Sequence, residues 1–245
     1  MIIELFRQQI PMQEKIYYLI VILFALTLSF AIHEFMHAAV AVWLGDETPR
    51  NMGRLTLNPL AHLDPMGTIL LLVAGFGWGK PVMYNPINLR RLKSYRGMNI
   101  MVHLAGVTGN FVLAYLASIF TILFGSLELR FGGGNIELIF RALADAFSYT
   151  YAFSLMLLAF NLLPIPPLDG YHVLEELLPY KVRSSDGYRK FERLAPSILM
   201  VIFLASTFTQ IPILSGLVDL IEKPFSFIIT ILDMPFFLLF QFVGL

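Results

Sequence analysis

The sequence lacks cysteine entirely and contains few charged side chains. Without cysteine the chain can form no disulfide and no thiolate metal site, so a bound metal ion would need His, Asp, Glu or Asn ligands. Only 14% of the 245 residues are charged and 57% are hydrophobic, whereas soluble domains contain roughly 25% charged residues. This balance excludes an ordinary soluble domain and predicts an integral membrane protein. The formal net charge of zero gives no indication of a nucleic-acid partner.

Long apolar runs predict an all-α transmembrane helix bundle, because a membrane-spanning helix needs about 20 apolar residues. A final apolar run is weakened by Asp233 and Pro235, so it could span the membrane or lie in its interface. The sequence contains no internal repeat, and we predict a single membrane-embedded domain over 1–245. The predicted spans cover about 16–44, 98–124, 146–163 and 195–218, with 224–245 as a possible fifth.

The loop after the first span is predicted to fold back against the helices. The stretch "MGRLTLNPLAHLD" alternates apolar and polar residues around Leu55 and Leu57, which is typical of a strand. The apolar run that follows, 69–74, is too short to cross a membrane. We therefore expect a small membrane-associated β-hairpin or re-entrant segment over about 51–84. Such irregular backbone is stable at membrane depth only where protein or a water-filled cavity covers it.

Lysine and arginine are distributed unevenly among the loops. The first loop, 45–97, contains seven, the second, 125–145, contains two, and the third, 164–194, contains five. Cytoplasmic loops carry an excess of these residues. We therefore predict that the first and third loops lie in the cytoplasm and that the N-terminus lies outside.

Three ionisable side chains lie in the middle of the first span, in "FAIHEFMHAA". His33 and His37 are four residues apart, so on a helix their rings point the same way. Two imidazoles at this spacing can bind one Zn2+, and Glu34 beside them can hold and deprotonate a water molecule at the metal. The alternative, that the histidines only bond neighbouring helices, is disfavoured because an ionisable group costs about 3 kcal/mol at membrane depth.

A third metal ligand is needed, since catalytic zinc sites hold three protein ligands. The best candidate is Asp169 in "NLLPIPPLDGYHVL", on a proline-stiffened turn after the third span. His33 is predicted to lie about 16 Å from the cytoplasmic end of the first span. The third span is also predicted to end in the cytoplasm, so both parts approach from one side. By itself, Asp169 would be an ordinary turn residue before Gly170.

Together these stretches resemble the site-2 protease family of intramembrane zinc metalloproteases. The resemblance covers about residues 30–175, with HEFMH, "GRLTLNPLAHLDPMGT", "FGWGKPV", "NLR", "AGVTGN" and "NLLPIPPLDG" in the family's order. It implies a zinc endopeptidase that cuts transmembrane or membrane-tethered protein substrates. No stretch matches the PDZ or CBS domain that some members carry, so we expect a minimal, core-only member. The implied location is the plasma membrane of a prokaryote, with the active site facing the cytoplasm.

The resemblance also implies roles for individual residues. His33, His37 and Asp169 would bind one zinc ion per chain, with Glu34 as general base. Asn161, eight residues before Asp169, would help to stabilise the tetrahedral oxyanion.

Further residues are implied to bind substrate or to support the site. Asn110 matches the asparagine of the family's G-P-x-x-N pattern, although a valine here replaces the proline. The family's β-hairpin corresponds to "GRLTLNP", where an unwound substrate segment would add as an edge strand. The implied residues there are Leu55, Thr56, Leu57 and Asn58.

Two other functions stay open from the sequence. A membrane zinc transporter would pass zinc between the same histidines, but it predicts further His or Asp pairs in the second to fourth spans, and those contain only His103. A catalytically inactive relative is the other alternative. His62 and His103 have no partner at metal spacing and are predicted to be structural. His172 is predicted to be a loop residue, with a ligand role as the alternative.

Overall fold

The computed structural model describes residues 5, 9–74, 77–209 and 213–242. These residues are mostly helical. The loop between α1 and α4 also contains two 3-10 turns, Pro59–Ala61 and Pro86–Asn88. The α-helices are, in chain order, α1 (Met12–Trp43), α2 (Thr48–Asn51), α3 (Pro65–Ala74), α4 (Tyr95–Arg130), α5 (Asn135–Asn161), α6 (Asp169–Leu177), α7 (Tyr180–Arg183), α8 (Asp186–Thr209) and α9 (Ile213–Phe242).

Four of the described helices are long and apolar enough to cross a membrane: α1, α4, α5 and the Leu214–Phe242 part of α9. Large apolar side chains on these helices remain exposed, for example Phe24, Leu116 and Leu238. Exposed apolar side chains of this number and size are expected where a helix faces lipid rather than water. The chain is therefore an integral membrane protein with a helical architecture.

The last part of the chain differs from the predicted spans. The predicted fourth span, 195–218, falls partly on α8 and partly on α9, which are separated by residues 210–212, outside the described part. The candidate span at 224–245 instead belongs to α9, as far as that helix is described. Asp233 is compatible with this helix because it faces the protein interior, with only 8% of the residue exposed.

The predicted β-hairpin over 51–84 is wrong: the described residues of this region form no strand. They form turns and the ten-residue helix α3, with one isolated antiparallel bridge between Leu63 and Gly79. The alternating apolar pattern fails to give a strand because Asn58 caps a 3-10 turn, accepting a hydrogen bond from the Leu60 amide at 3.1 Å. Helix α3 is about 15 Å long, half the thickness of a bilayer core. Its re-entrant placement stays a prediction.

Small polar side chains join the three spans that carry the candidate site. The hydroxyls of Ser29 in α1 and Ser154 in α5 lie 2.9 Å apart. Asn110 of α4 is fully buried; with its amide assigned from the surrounding acceptors, the nitrogen donates to the backbone oxygens of Ser29 and Gly106 at 3.3 Å each. Small residues let helix backbones approach closely, and their hydrogen bonds join the helices within a membrane.

Candidate metal centre

The three predicted metal ligands lie side by side in the structure. His33 and His37 are on the buried face of α1, and Asp169 is the first residue of α6. The two Nε2 atoms are 3.1 Å apart, and Oδ2 of Asp169 is 3.3 Å from each of them. Among the described residues, this is the group of histidine and acidic side chains whose ligand atoms converge on one point.

Two glycines allow this close approach. A Cβ at Gly106 of α4 would lie 2.4 Å from Nε2 of His37 and 2.6 Å from Cε1 of His33, so only glycine lets α4 pass beside the ring pair. A Cβ at Gly170 would lie 2.2 Å from the carbonyl oxygen of Leu162, so glycine lets α6 begin directly against the end of α5. Gly106 is a determinant of the site to which the sequence analysis gave no role, although it lies in the quoted "AGVTGN".

Hydrogen bonding and charge prepare two of these side chains for a cation. Nδ1 of His37 is 2.7 Å from the carbonyl oxygen of Val102, which fixes the ring and leaves Nε2 directed at the cluster. Burial acts to raise the pKa of Asp169, but the adjacent His37 and His33 outweigh it and hold that pKa below its usual range. These neighbours therefore favour the carboxylate form, which is the form that a metal ligand must take.

The donor set and its spacing fit a zinc ion. Ligand atoms about 2.0–2.1 Å from a tetrahedral zinc lie roughly 3.3 Å from one another, which matches the observed separations of 3.1 and 3.3 Å. Oδ2 of Asp169 is buried, and apart from the two imidazole Nε2 atoms at 3.3 Å it has no hydrogen-bond donor among the described residues. A buried carboxylate oxygen without a donor is costly unless a cation satisfies it.

Glu34 lies next to this cluster and contacts the loop that follows α3. Its side chain is buried, with only 8% of the residue exposed, and Oε2 accepts a hydrogen bond from the Val82 amide at 3.2 Å. This contact places the segment 79–85, which precedes the second 3-10 turn, beside the site. The motif "FGWGKPV" predicted no role for Val82, because a backbone amide leaves no signature in the sequence.

The other predicted site residues are bonded elsewhere. Asn161 is the last residue of α5, and its Nδ2 donates to the Leu157 oxygen one turn earlier at 2.9 Å. Asn110 joins α1 to α4, and its role in supporting the site stays a prediction. In the stretch from Leu55 to Asn58, the hydrogen bonds are within the loop, including that between the Thr56 oxygen and Nε2 of His62 at 2.9 Å. A substrate-binding role for this stretch stays a prediction.

A helical membrane protein that brings two imidazoles and a carboxylate together, with Glu34 next to one of the imidazoles in sequence, has the ligand set expected of a membrane metalloprotease. Comparison with known sequences agrees with this class. The profile of Peptidase family M50 matches residues 105–206. None of the solved structures matches the chain.

Two named bacterial proteins are similar to this chain over most of its length. "Putative zinc metalloprotease YwhC" of Bacillus subtilis (strain 168) is 39% identical over 203 residues, which is 82% of this chain and 89% of YwhC. "Putative zinc metalloprotease Rip2" of Mycobacterium tuberculosis (strain ATCC 25618 / H37Rv) is 34% identical over 184 residues, or 73% of this chain and 64% of Rip2. The chain belongs to peptidase family M50, the site-2 proteases, and is a membrane metalloprotease.

Proposed function

We propose that the protein is an intramembrane zinc endopeptidase that holds one zinc ion per chain between His33, His37 and Asp169. The observation that carries the proposal is the convergence of these three ligand atoms within 3.3 Å of one another. The relatives named as zinc metalloproteases support the choice of zinc. Membership of a peptidase family favours this function over a zinc transporter, and the presence of Glu34 favours it over an inactive relative.

The protein's own residues supply proton transfer and positioning. When bound, zinc acts as a Lewis acid that polarises the scissile carbonyl and acidifies water. Glu34, adjacent in sequence to His33, accepts a proton from the attacking water and delivers it to the leaving amine nitrogen. The Val82 amide holds one carboxylate oxygen of Glu34 at 3.2 Å, which leaves the other oxygen for this transfer.

Asn161 is proposed to stabilise the oxyanion that forms on the substrate carbonyl. A side-chain amide has two N–H donors, and the hydrogen bond to Leu157 uses one of them. The second donor is the one that would contact the developing negative charge. A donor aimed at this charge in a water-poor site is worth about 2.7–4 kcal/mol of transition-state stabilisation.

The proposed substrate is a transmembrane or membrane-tethered protein segment. A helix buries its peptide bonds in its own hydrogen bonds, so the segment must unwind before attack. We propose that the bend from Leu55 to Asn58 contacts this unwound segment. The excess of Lys and Arg in the first and third loops supports a site that opens to the cytoplasm, where water is available.

The experiment that tests this function is the substitution Glu34→Gln in cells that express the protein. Membrane-protein fragments that accumulate with the wild type are identified by proteomics, and they are expected to fall by about 10²–10⁴-fold in the variant. Bound zinc should be unchanged, because the proposed ligands remain. Glu47→Gln is the matched control, since Glu47 lies outside the cluster and pairs with Arg50 on the surface.

Undiminished fragments in Glu34→Gln would contradict the proposed mechanism. If the wild type produces no membrane-protein fragments in cells but carries zinc into vesicles, the transporter would be supported instead.

A further inference from the structure

One face of α6 points toward α4 along its whole length. Asp169, His172 and Glu176 are spaced three and four residues apart, so they lie on the same side of this helix. Only Asp169 belongs to the metal cluster. Helix α6 has nine residues, and a helix of this length is not stable by itself. The position of Asp169 therefore depends on what the rest of this face contacts.

The facing side of α4 repeats the same spacing in the opposite direction. Asn99, His103 and Gly106 are four and three residues apart, and Gly106 is the glycine beside the metal cluster. His103 and His172 stack with ring centroids 4.7 Å apart and planes at 19°. A second contact joins α4 and α6 two turns after Asp169, where Nδ2 of Asn99 donates to Oε1 of Glu176 at 3.0 Å.

The same network includes the loop segment that bonds Glu34. The hydroxyl of Tyr84 lies 3.0 Å from Nε2 of His103 and 3.5 Å from Oδ1 of Asn99. Tyr84 is two residues after Val82, whose amide donates to Glu34. One connected set of side chains thus joins α4 both to the helix that carries Asp169 and to the segment that fixes Glu34.

We propose that this set, the polar clasp, positions both the third metal ligand and the general base; its members are Tyr84, Asn99, His103, His172 and Glu176. The inference rests on the proposed function of the metal centre. Only 3% of Asn99 is exposed, so loss of a partner leaves its buried amide without a hydrogen bond. The folded state is then destabilised unless the helices shift to expose the amide. On its other side, α6 packs through the buried ring of Tyr171 against Tyr188 of α8, at 6.1 Å between centroids. The polar clasp therefore determines the distance between α6 and α4 and, with it, the position of Asp169.

The test uses the purified full chain in detergent, with Co2+ as the probe, because its visible absorption reports ligand number and geometry. Glu176→Ala removes the acceptor for Asn99, whereas Glu176→Gln keeps it. We expect Glu176→Ala to weaken Co2+ binding by about 10–100-fold and to alter the spectrum, as loss of residues that orient metal ligands does. Glu176→Gln should restore both. For cleavage, we expect kcat to fall with KM unchanged.

A second variant keeps the test decisive if Glu176→Ala does not fold. Tyr84→Phe retains the ring and removes only the hydroxyl that contacts Asn99 and His103, and it should also weaken Co2+ binding. The matched control is Tyr180→Phe, at a tyrosine that is 79% exposed on α7.

Wild-type Co2+ affinity and spectrum in Tyr84→Phe and in any folded Glu176→Ala would overturn the clasp. Equal losses in Glu176→Ala and Glu176→Gln would overturn its hydrogen-bond basis. The proposed function fails separately: in that case Asp169→Ala would bind Co2+ with the affinity and spectrum of the wild type.

Discussion

The loop between α1 and α4 contains two Asn-Pro turns that are alike in local structure and different in their contacts. Asn58 and Asn85 both have extended backbone, and each side chain accepts a hydrogen bond at 3.1 Å from the amide two residues later. A 3-10 turn follows each of them. The sequence signal, an asparagine cap before proline, is the same and gives the same local result.

The surroundings of the two turns differ. The segment before the first turn bonds within the loop, as between Thr56 and His62. The second turn is fastened to the end of α1: Oδ2 of the fully buried Asp46 accepts from the Asn85 amide at 2.6 Å and its Oδ1 from Nδ2 of Asn88 at 2.9 Å. Just before this turn, Val82 bonds Glu34. Long-range partners, not the turn sequence, therefore determine which half of the loop lies at the site.

The segment 79–85 can act on Glu34 only beside an intact pair of histidines, His33 and His37. Gly106→Ala should disrupt that pair. The added Cβ would lie 2.4 Å from His37 and 2.6 Å from His33. We expect the variant to lose most of its bound zinc. Its activity should fall by at least about 100-fold, because a 1 Å displacement of catalytic groups can lower the rate by this factor. Zinc per chain is measured by elemental analysis. The control is Gly125→Ala in the same helix, where a Cβ meets open space.

The role of the segment 79–85 in holding Glu34 can be tested at the amide of Val82. Val82→Pro removes the donor to Glu34, whereas Val82→Ala keeps it. A hydrogen bond to a charged group is worth about 1.5–3 kcal/mol, so we expect kcat to fall by about 10–100-fold in Val82→Pro, with zinc content unchanged. Steady-state cleavage of a substrate found by the fragment experiment measures this. Equal kcat in the two variants would show that the segment only covers the site.

The fastening of the second turn can be tested at Asp46, which lies outside the predicted spans. Burial acts to raise the pKa of Asp46, but hydrogen bonds from Thr48, Asn88 and Asn85 outweigh it and hold the pKa below 3.8. A carboxylate with a lowered pKa stabilises the fold at higher pH, and this stabilisation is lost as pH falls through that pKa.

Asp46→Asn should therefore lower the unfolding free energy by about 1–3 kcal/mol at neutral pH. The difference from the wild type should shrink below about pH 4. Thermal unfolding in detergent at several pH values measures both. A constant difference across this pH range would contradict the ionised state of Asp46.

We expect the smallest effect on catalysis from substitutions in the stretch from Leu55 to Asn58, around the first Asn-Pro turn. Leu57 is 54% exposed, and if the bend from Leu55 to Asn58 contacts substrate, Leu57→Ala should raise KM a few-fold. Burial of one methylene group is worth about 0.8 kcal/mol, or about four-fold in affinity, and we expect a surface contact to bury little more than this. The value of kcat should stay unchanged, in contrast to Val82→Pro. An unchanged KM would contradict a substrate contact at Leu57.

The sequence was sufficient to predict the parts of the site that follow from helical spacing and from family motifs. His33 and His37 are one turn apart on a helix, and the motif around Asp169 indicated the third member of the cluster; the structure brings all three together. The general membrane architecture was predictable for the same reason, since apolar length is a local property.

Features that depend on contacts between distant segments could not be predicted. The alternating pattern near Leu57 predicted a strand, but no neighbouring strand is present among the described residues to pair with it. His103 was predicted to be structural and His172 to lie in a loop, whereas His172 lies in α6 and stacks on His103. A stack between side chains 69 residues apart leaves no periodic signal. The buried placement of Asp233 likewise depends on how α9 packs against other helices, which the sequence does not indicate.

The most direct test of the account is zinc-edge X-ray absorption on the purified wild type and on Asp169→Ala. The account predicts one zinc ion per wild-type chain, with two imidazole nitrogens and carboxylate oxygen at about 2.0–2.1 Å, and loss of this site in the variant. A wild-type chain without zinc, or a variant with the same zinc content and ligand set, would contradict it.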